Sequence, residues 1–224
     1  YKAPSYKPSE LRDAFEQSVK NALDEATKKD KSVTNTQVLD SISKATKLEI
    51  QIEYVYQELF QNKGVEVTID VCVQLAEVFR ALSTRYVKLY KGAVELLQSL
   101  KAKNKKVYLL SNAQAVFTRG ELQLLGILPY FDGILLSSEV GYMKPDRRFY
   151  QRLLDTYQID PSTAIMIGND YREDSMGGAN VGLHTCYINS NLSPSEDGNS
   201  IGEMKADFIL KSMDLEKVKQ LILR

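Results

Sequence analysis

The sequence has one histidine, two cysteines and no surplus of either charge, since Lys plus Arg and Asp plus Glu both total 29 in 224 residues. A zero charge balance gives no reason to expect a polyanionic partner, so no nucleic-acid role is predicted. The basic clusters at Lys28–Lys31 and Lys101–Lys106 fall near predicted helix ends, where the dipole favours cations. The lone His184 has no cysteine or histidine nearby in sequence, and no metal role is expected of it. Cys72 and Cys186 lie far apart in apolar segments. They read as buried free thiols in a reducing compartment. No apolar run approaches the roughly 20 residues of a membrane span. No signal-peptide pattern is visible. A cytoplasmic protein with no membrane partner is the expectation; the oligomeric state is left open.

The pattern along the chain changes near Tyr90. Before it, four amphipathic helices are predicted. The first is capped by Ser9 and carries Leu11, Phe15, Val19 and Leu23. The second begins after Thr34–Asn35, with Val38, Leu39 and Ile42 on one face. A third carries Ile50, Tyr54, Leu59 and Phe60 and stops before Gly64. The fourth carries Val71, Leu75, Val78, Phe79 and Leu82. Each apolar stripe is expected to be core packing of a small bundle.

After Tyr90, strands and helices alternate. Strands are predicted at Val107–Leu110, Gly133–Leu136, Ala164–Ile167, Thr185–Ile188 and Asp207–Leu210, with helices between them and a last one capped by Asp214. Such alternation predicts an α/β fold with a doubly wound parallel sheet, Rossmann-like, with helices on both faces. The polar stretch Asn189–Lys205 reads as a mobile surface loop.

Three predicted strand ends carry polar residues of a matching kind. Ser111–Asn112 follows the first strand, where a hydroxyl, an amide and backbone N–H groups can hold phosphate oxygens. Lys144 lies in Gly141–Tyr–Met–Lys–Pro–Asp146, in the loop after the second. Asp170 and Asp174 follow the third, in Gly168–Asn–Asp–Tyr–Arg–Glu–Asp174. Four residues apart at a helix start, these two carboxylates share one face. Clustered carboxylates beside a phosphate-holding turn suit Mg²⁺, which takes one or two carboxylates plus waters and phosphate oxygens.

In this order the motifs resemble the haloacid dehalogenase superfamily, and more narrowly its phosphatase-type members with a helical cap. The likeness is close over about Lys91–Ile188. It implies a helical cap over residues 1–90, a Rossmann-like core over 91–224, and Mg²⁺-dependent hydrolysis of a small phosphomonoester through an aspartyl-phosphate. By the same likeness, Ser111 hydrogen-bonds the transferring phosphoryl and Asn112 sits in the phosphate-holding turn. Lys144 neutralises the phosphoryl oxygens, Asp170 binds the metal directly, and Asp174 supports the metal. Asn169 stands where some relatives carry another acid. The resemblance also leaves a phosphomutase, a dehalogenase or a non-catalytic phosphate-binding protein as alternatives, though a metal-binding acid pair favours phosphate over carbon–halogen chemistry. The partner implied is a small phosphorylated metabolite.

The family's Asp-x-Asp-x-Thr nucleophile motif has no counterpart in residues 1–224. Thr68–Ile–Asp70–Val falls inside a predicted helix and lacks the second acid, so it is rejected. The first residue is Tyr1 and not Met, and the motif with its central strand is expected upstream of it. Hinges between cap and core are expected near Tyr1–Lys7 and Lys88–Gly92.

Overall fold

A computed structural model of the protein describes residues 6–30 and 48–223. Helix α1 (Pro8–Lys29) has Lys7, not Ser9, at its cap position. Pro8 takes the first helical position, where its missing N–H costs nothing and its fixed φ suits the helix. Glu10 accepts a hydrogen bond from the Lys7 N–H at 3.2 Å. The helix predicted around Val38, Leu39 and Ile42 lies outside the described residues. Helices α2 (Ile52–Gln61) and α3 (Ile69–Ser83) follow, and α2 packs against both α1 and α3.

The expected core stripe of α3 is not buried. Val71, Leu75, Val78, Phe79 and Leu82 are exposed, Phe79 by 55% and Leu82 by 83%. The buried face is instead Cys72 and Ala76, which lies about 100° further round the helix. Small side chains there let α3 approach Val55 and Leu59 of α2 closely, both of which are buried.

The second part runs α4 (Ala93–Ala102), β1 (Tyr108–Ser111), α5 (Ala115–Leu124), β2 (Gly133–Leu136), α6 (Ser137–Val140), α7 (Arg147–Tyr157), β3 (Ile165–Gly168), β4 (His184–Ile188), α8 (Ser195–Ser200), β5 (Phe208–Leu210) and α9 (Leu215–Ile222). All strand pairs are parallel, as the alternating pattern requires. The strands do not form one continuous sheet, however. β1 pairs with β2, β4 lies between β3 and β5, and among the described residues no ladder joins the two groups. The consequence shows in burial: Thr185–Ile188 of the flanked strand β4 is buried, while every residue of β3 is only half-buried.

Side-chain packing spans the division. Phe149, Tyr150, Leu153 and Leu154 of α7 pack with Leu110 of β1 and Leu135 of β2, and Met166 of β3 joins them. On the opposite face Cys186, Ile188 and Val218 gather Leu96 of α4, Ile165 and Ile167 of β3, and Leu215 and Leu221 of α9. Met166 and its two neighbours thus feed opposite cores, as the two-residue period of a strand demands. Each fully buried side chain of this kind contributes about 1.5–3 kcal/mol. Both cysteines are buried free thiols, and burial pushes Cys186 up to about 11.

The helical part also touches the α/β part away from the expected hinge at Lys88–Gly92. Gln114 donates to Glu49 (3.1 Å) and to the Ile50 carbonyl (2.8 Å), and it accepts from the Ile52 N–H (3.0 Å). The Ser137 hydroxyl donates to Glu49 at 2.9 Å. Asp30, just beyond α1, pairs with Arg148 at 2.6 Å, and Arg80 of α3 pairs with Glu121 of α5 at 2.6 Å. No helix among the described residues is long and apolar enough to cross a membrane.

Candidate active site

The loops that follow β1, β2 and β3 meet through side chains. Asn112, next after β1, reaches the loop after β2: its Oδ1 accepts from the Lys144 N–H at 2.7 Å and its Nδ2 donates to the Lys144 carbonyl at 3.1 Å. The same Nδ2 donates to Glu173 Oε2 at 2.8 Å, in the loop after β3. The Lys144 ammonium in turn lies 2.5 Å from Asp174 Oδ1. This ion pair is withdrawn from solvent, with Lys144 9% and Asp174 4% exposed. At such depth each charge needs the other, because removal of one partner costs about 3–5 kcal/mol.

The acidic loop is shaped by its own sequence. Tyr171–Met176 forms a π-helical turn, a geometry frequent at functional sites. Asp170 caps it, accepting from the Glu173 N–H at 2.7 Å. The Asp174 carboxylate folds back so that Oδ2 accepts from the Asp170 N–H at 3.0 Å. That return places the carboxylate over Gly168, where an added Cβ would fall inside van der Waals contact of Asp174. Gly177 plays a similar part, since a Cβ there would overlap the ring of Tyr150. Tyr150 donates to the Glu173 carbonyl and ties α7 to the turn.

Charge in this loop is unbalanced. Lys144 answers Asp174, but Asp170 has no cationic partner among the described residues. Burial is the largest cause pushing the Asp170 carboxyl above its ordinary range. The Glu173 N–H opposes it, while Glu173, Asp174 and Asp197 push the same way. A half-buried carboxylate with like charges around it is a place where a cation is favoured. Among the described residues no three His, Cys, Asp or Glu side chains are clustered closely enough to hold a metal ion by themselves. Asp170 and Asp174 offer two hard oxygen donors, which fits Mg²⁺ held partly by water and phosphate.

The structure therefore brings together Asn112, Lys144, Asp170 and Asp174. Ser111 closes β1 beside Asn112, its backbone paired with Leu136, and Asn169 lies between Gly168 and Asp170. Neither side chain hydrogen-bonds to this cluster among the described residues. The Asn112 side chain, expected in the phosphate-holding turn, is committed to Lys144 and Glu173.

Two participants were missed in the sequence. Glu173 lies inside the acidic motif without a distinguishing spacing. Asp197 comes from the stretch read as a mobile surface loop. That stretch instead forms α8 and a 3₁₀ turn, and Asp197 is buried, accepting from the Tyr171 N–H at 2.8 Å. The Lys205 N–H returns a bond to the Tyr171 hydroxyl at 2.7 Å. Its polar composition marked it as irregular, and nothing in the local sequence marks which acid turns inward.

A family model for haloacid dehalogenase-like hydrolases matches residues 9–182, and the chain belongs to that family. It is 32% identical over 108 residues to the pyrimidine 5'-nucleotidase YjjG of Escherichia coli, covering 48% of each chain. It is 31% identical over 107 residues to the glyceraldehyde 3-phosphate phosphatase of Methanothermobacter thermautotrophicus, covering 48% of this chain and 47% of that one. Against the phosphoserine phosphatase of Thermus thermophilus it is 27% identical over 165 residues, 72% of this chain and 65% of that one. The chain thus spans about half the length of the first two of these relatives. Among solved structures, an HAD phosphatase from Thermococcus onnurineus superposes with TM-score 0.54 at 20% identity, over 75% of this chain and 69% of that one. The magnesium-bound HAD-hydrolase YfnB of Bacillus subtilis gives 0.55 at 17%, over 97% of this chain and 84% of that one. These two likenesses establish the fold: a Rossmann-like α/β core with a helical cap.

Proposed function

We propose that this protein is a Mg²⁺-dependent phosphohydrolase acting on a small phosphomonoester, with residues 1–90 as the cap and 91–224 as most of the core. The observation that carries the reading is the buried Lys144–Asp174 pair at the strand ends, next to the uncompensated Asp170. Phosphoryl transfer asks mainly for an in-line nucleophile and dense positive charge around the equatorial oxygens. The Lys144 ammonium supplies fixed positive charge on the phosphoryl side. Ser111 and the backbone N–H groups beyond β1 supply hydrogen bonds to its oxygens. Asp170, supported by Asp174 and with Asn169 beside it, would hold the metal. Mg²⁺, when bound, supplies electrostatic stabilisation of the phosphate charge.

The nucleophile of this reading is an aspartate on a further strand between β1 and β3, which is not among the described residues. The division of the sheet supports it. β1 and β3 lean on the same helix α7 and their following loops touch, yet no ladder joins them. The ties of Glu49, Asp30 and Arg80 to the core support a cap that closes over the site and excludes bulk water.

The test is hydrolysis of an aryl phosphate by the full-length protein. Activity that needs Mg²⁺ and disappears in Asp170→Ala, but survives Asp70→Ala, is the expected result. Halide release from a 2-haloacid, with no phosphate release from the ester, would move the reading to a dehalogenase, and phosphate binding without turnover to a binding protein.

A further inference from the structure

We infer that Asn112 is a positioning residue for the Lys144 ammonium, and that its side chain does not itself hold the phosphoryl group. The inference rests on the reading of Lys144 given above. Its basis is the inventory of one carboxamide. An asparagine side chain has two N–H donors and one carbonyl oxygen. The oxygen must face Lys144 N, because a main-chain N–H can only donate, and this fixes the orientation of the amide. The Nδ2 group then lies at 3.1 Å from the Lys144 carbonyl and 2.8 Å from Glu173 Oε2, which uses both donors. No N–H of this side chain remains for a phosphate oxygen.

The position of Asn112 gives these bonds their consequence. It stands after β1, Lys144 after β2 and Glu173 after β3, and β1–β2 and β3–β4–β5 share no ladder hydrogen bond. Among the described residues the two groups are tied together at the site by side-chain bonds. Asn112 grips the main chain of Lys144 on both sides of its Cα and links it to the acidic turn, while the Lys144 ammonium reaches Asp174 in that same turn. The flexible four-carbon stem of a lysine fixes its charge only if both ends are held. Asp174 holds the ammonium, and Asn112 holds the root.

A double-mutant cycle in the full-length protein tests this, with Asn112→Ala, Lys144→Ala and the double variant. Each is measured for kcat/KM on an aryl phosphate and for orthophosphate affinity by calorimetry. Asn112→Ala alone is expected to lower kcat/KM on the order of 100-fold, the scale of an ångström of misplacement. In the Lys144→Ala background the same change is expected to cost less than about 3-fold, because residues acting through one another are not additive. Asn112→Asp keeps the acceptor for the Lys144 N–H, loses both donors and sets a carboxylate beside Glu173. It should show the same coupling, and it serves if the alanine variant does not fold. Multiplicative losses in both series would overturn the inference and return Asn112 to direct phosphate contact. Failure of the wild type both to bind orthophosphate and to hydrolyse the ester would instead overturn the functional reading on which it rests.

Discussion

In α3 the larger apolar side chains, Val71, Leu75, Val78, Phe79 and Leu82, face outward, and the small Cys72 and Ala76 face α2. In β4 the residues from Thr185 to Ile188 are all buried, between two neighbouring strands and two layers of helix. Both segments show an apolar pattern in sequence. The difference is how much of the surroundings the pattern implies. A strand inside a parallel sheet is covered on both faces, so its apolar residues have one fate. A helix needs only one buried stripe, and where two adjoin, periodicity alone does not say which is chosen. Close approach to α2 favoured the stripe of small residues.

The strongest way to test this contrast is at the centre of the α/β part. Phe149 is fully buried under β1, β2 and β3. Phe149→Ala should destabilise the protein by about 3–5 kcal/mol, from lost transfer energy plus the cavity left behind. Urea denaturation of the full-length protein would measure it. A loss below about 1 kcal/mol would mean that α7 does not carry the joint between the two groups of strands, contrary to its packing.

The same contrast explains what could be read from the sequence. The strand positions and parallel alternation were legible because each strand is short, apolar and followed by a polar turn. The strand-end residues were legible as a set, since Asn112, Lys144, Asp170 and Asp174 follow three successive strands. Their division of labour was not. That Asn112 turns to Lys144 depends on the loop after β2 lying within 2.7 Å, a fact of tertiary packing. The inward turn of Asp197 depends on α8 lying against Tyr171, and the close return of Asp174 on Gly168.

A smaller effect is expected at Asp132, which fastens α4 to the turn before β2. Its carboxylate accepts from the Val107 N–H at 2.9 Å and pairs with Lys101 (2.9 Å) and Lys106 (3.1 Å). Burial opposes its ionisation, but the Val107 N–H and the two ammonium groups prevail and hold it at about 2, below the ordinary 3.8. A carboxyl depressed in the folded state stabilises folding above its unfolded value and loses that contribution as pH falls through its folded value. Asp132→Asn should therefore destabilise the protein at pH 6 and much less near pH 2. Thermal denaturation at both pH values measures the difference. An equal loss at both would assign the contribution of Asp132 to hydrogen-bond geometry and not to charge.

The smallest effect is expected on the outward stripe of α3. Leu82 is 83% exposed and stands near the C-terminal end of the helix. Leu82→Ser exchanges apolar surface already in water for a hydroxyl, and helix propensity falls only by a fraction of a kcal/mol. The expected change in unfolding free energy is within about 0.5 kcal/mol, the range of surface substitutions that break no contact. Leu59→Ala, on the buried face of α2, should cost about 2–5 kcal/mol in the same assay. If Leu82→Ser cost as much as Leu59→Ala, the outward stripe would be a packed face after all, and the difference drawn between α3 and β4 would disappear. If it cost little, the outward end of the stripe adds little to folding, and the buried face with Cys72 and Ala76 is what holds that helix to α2.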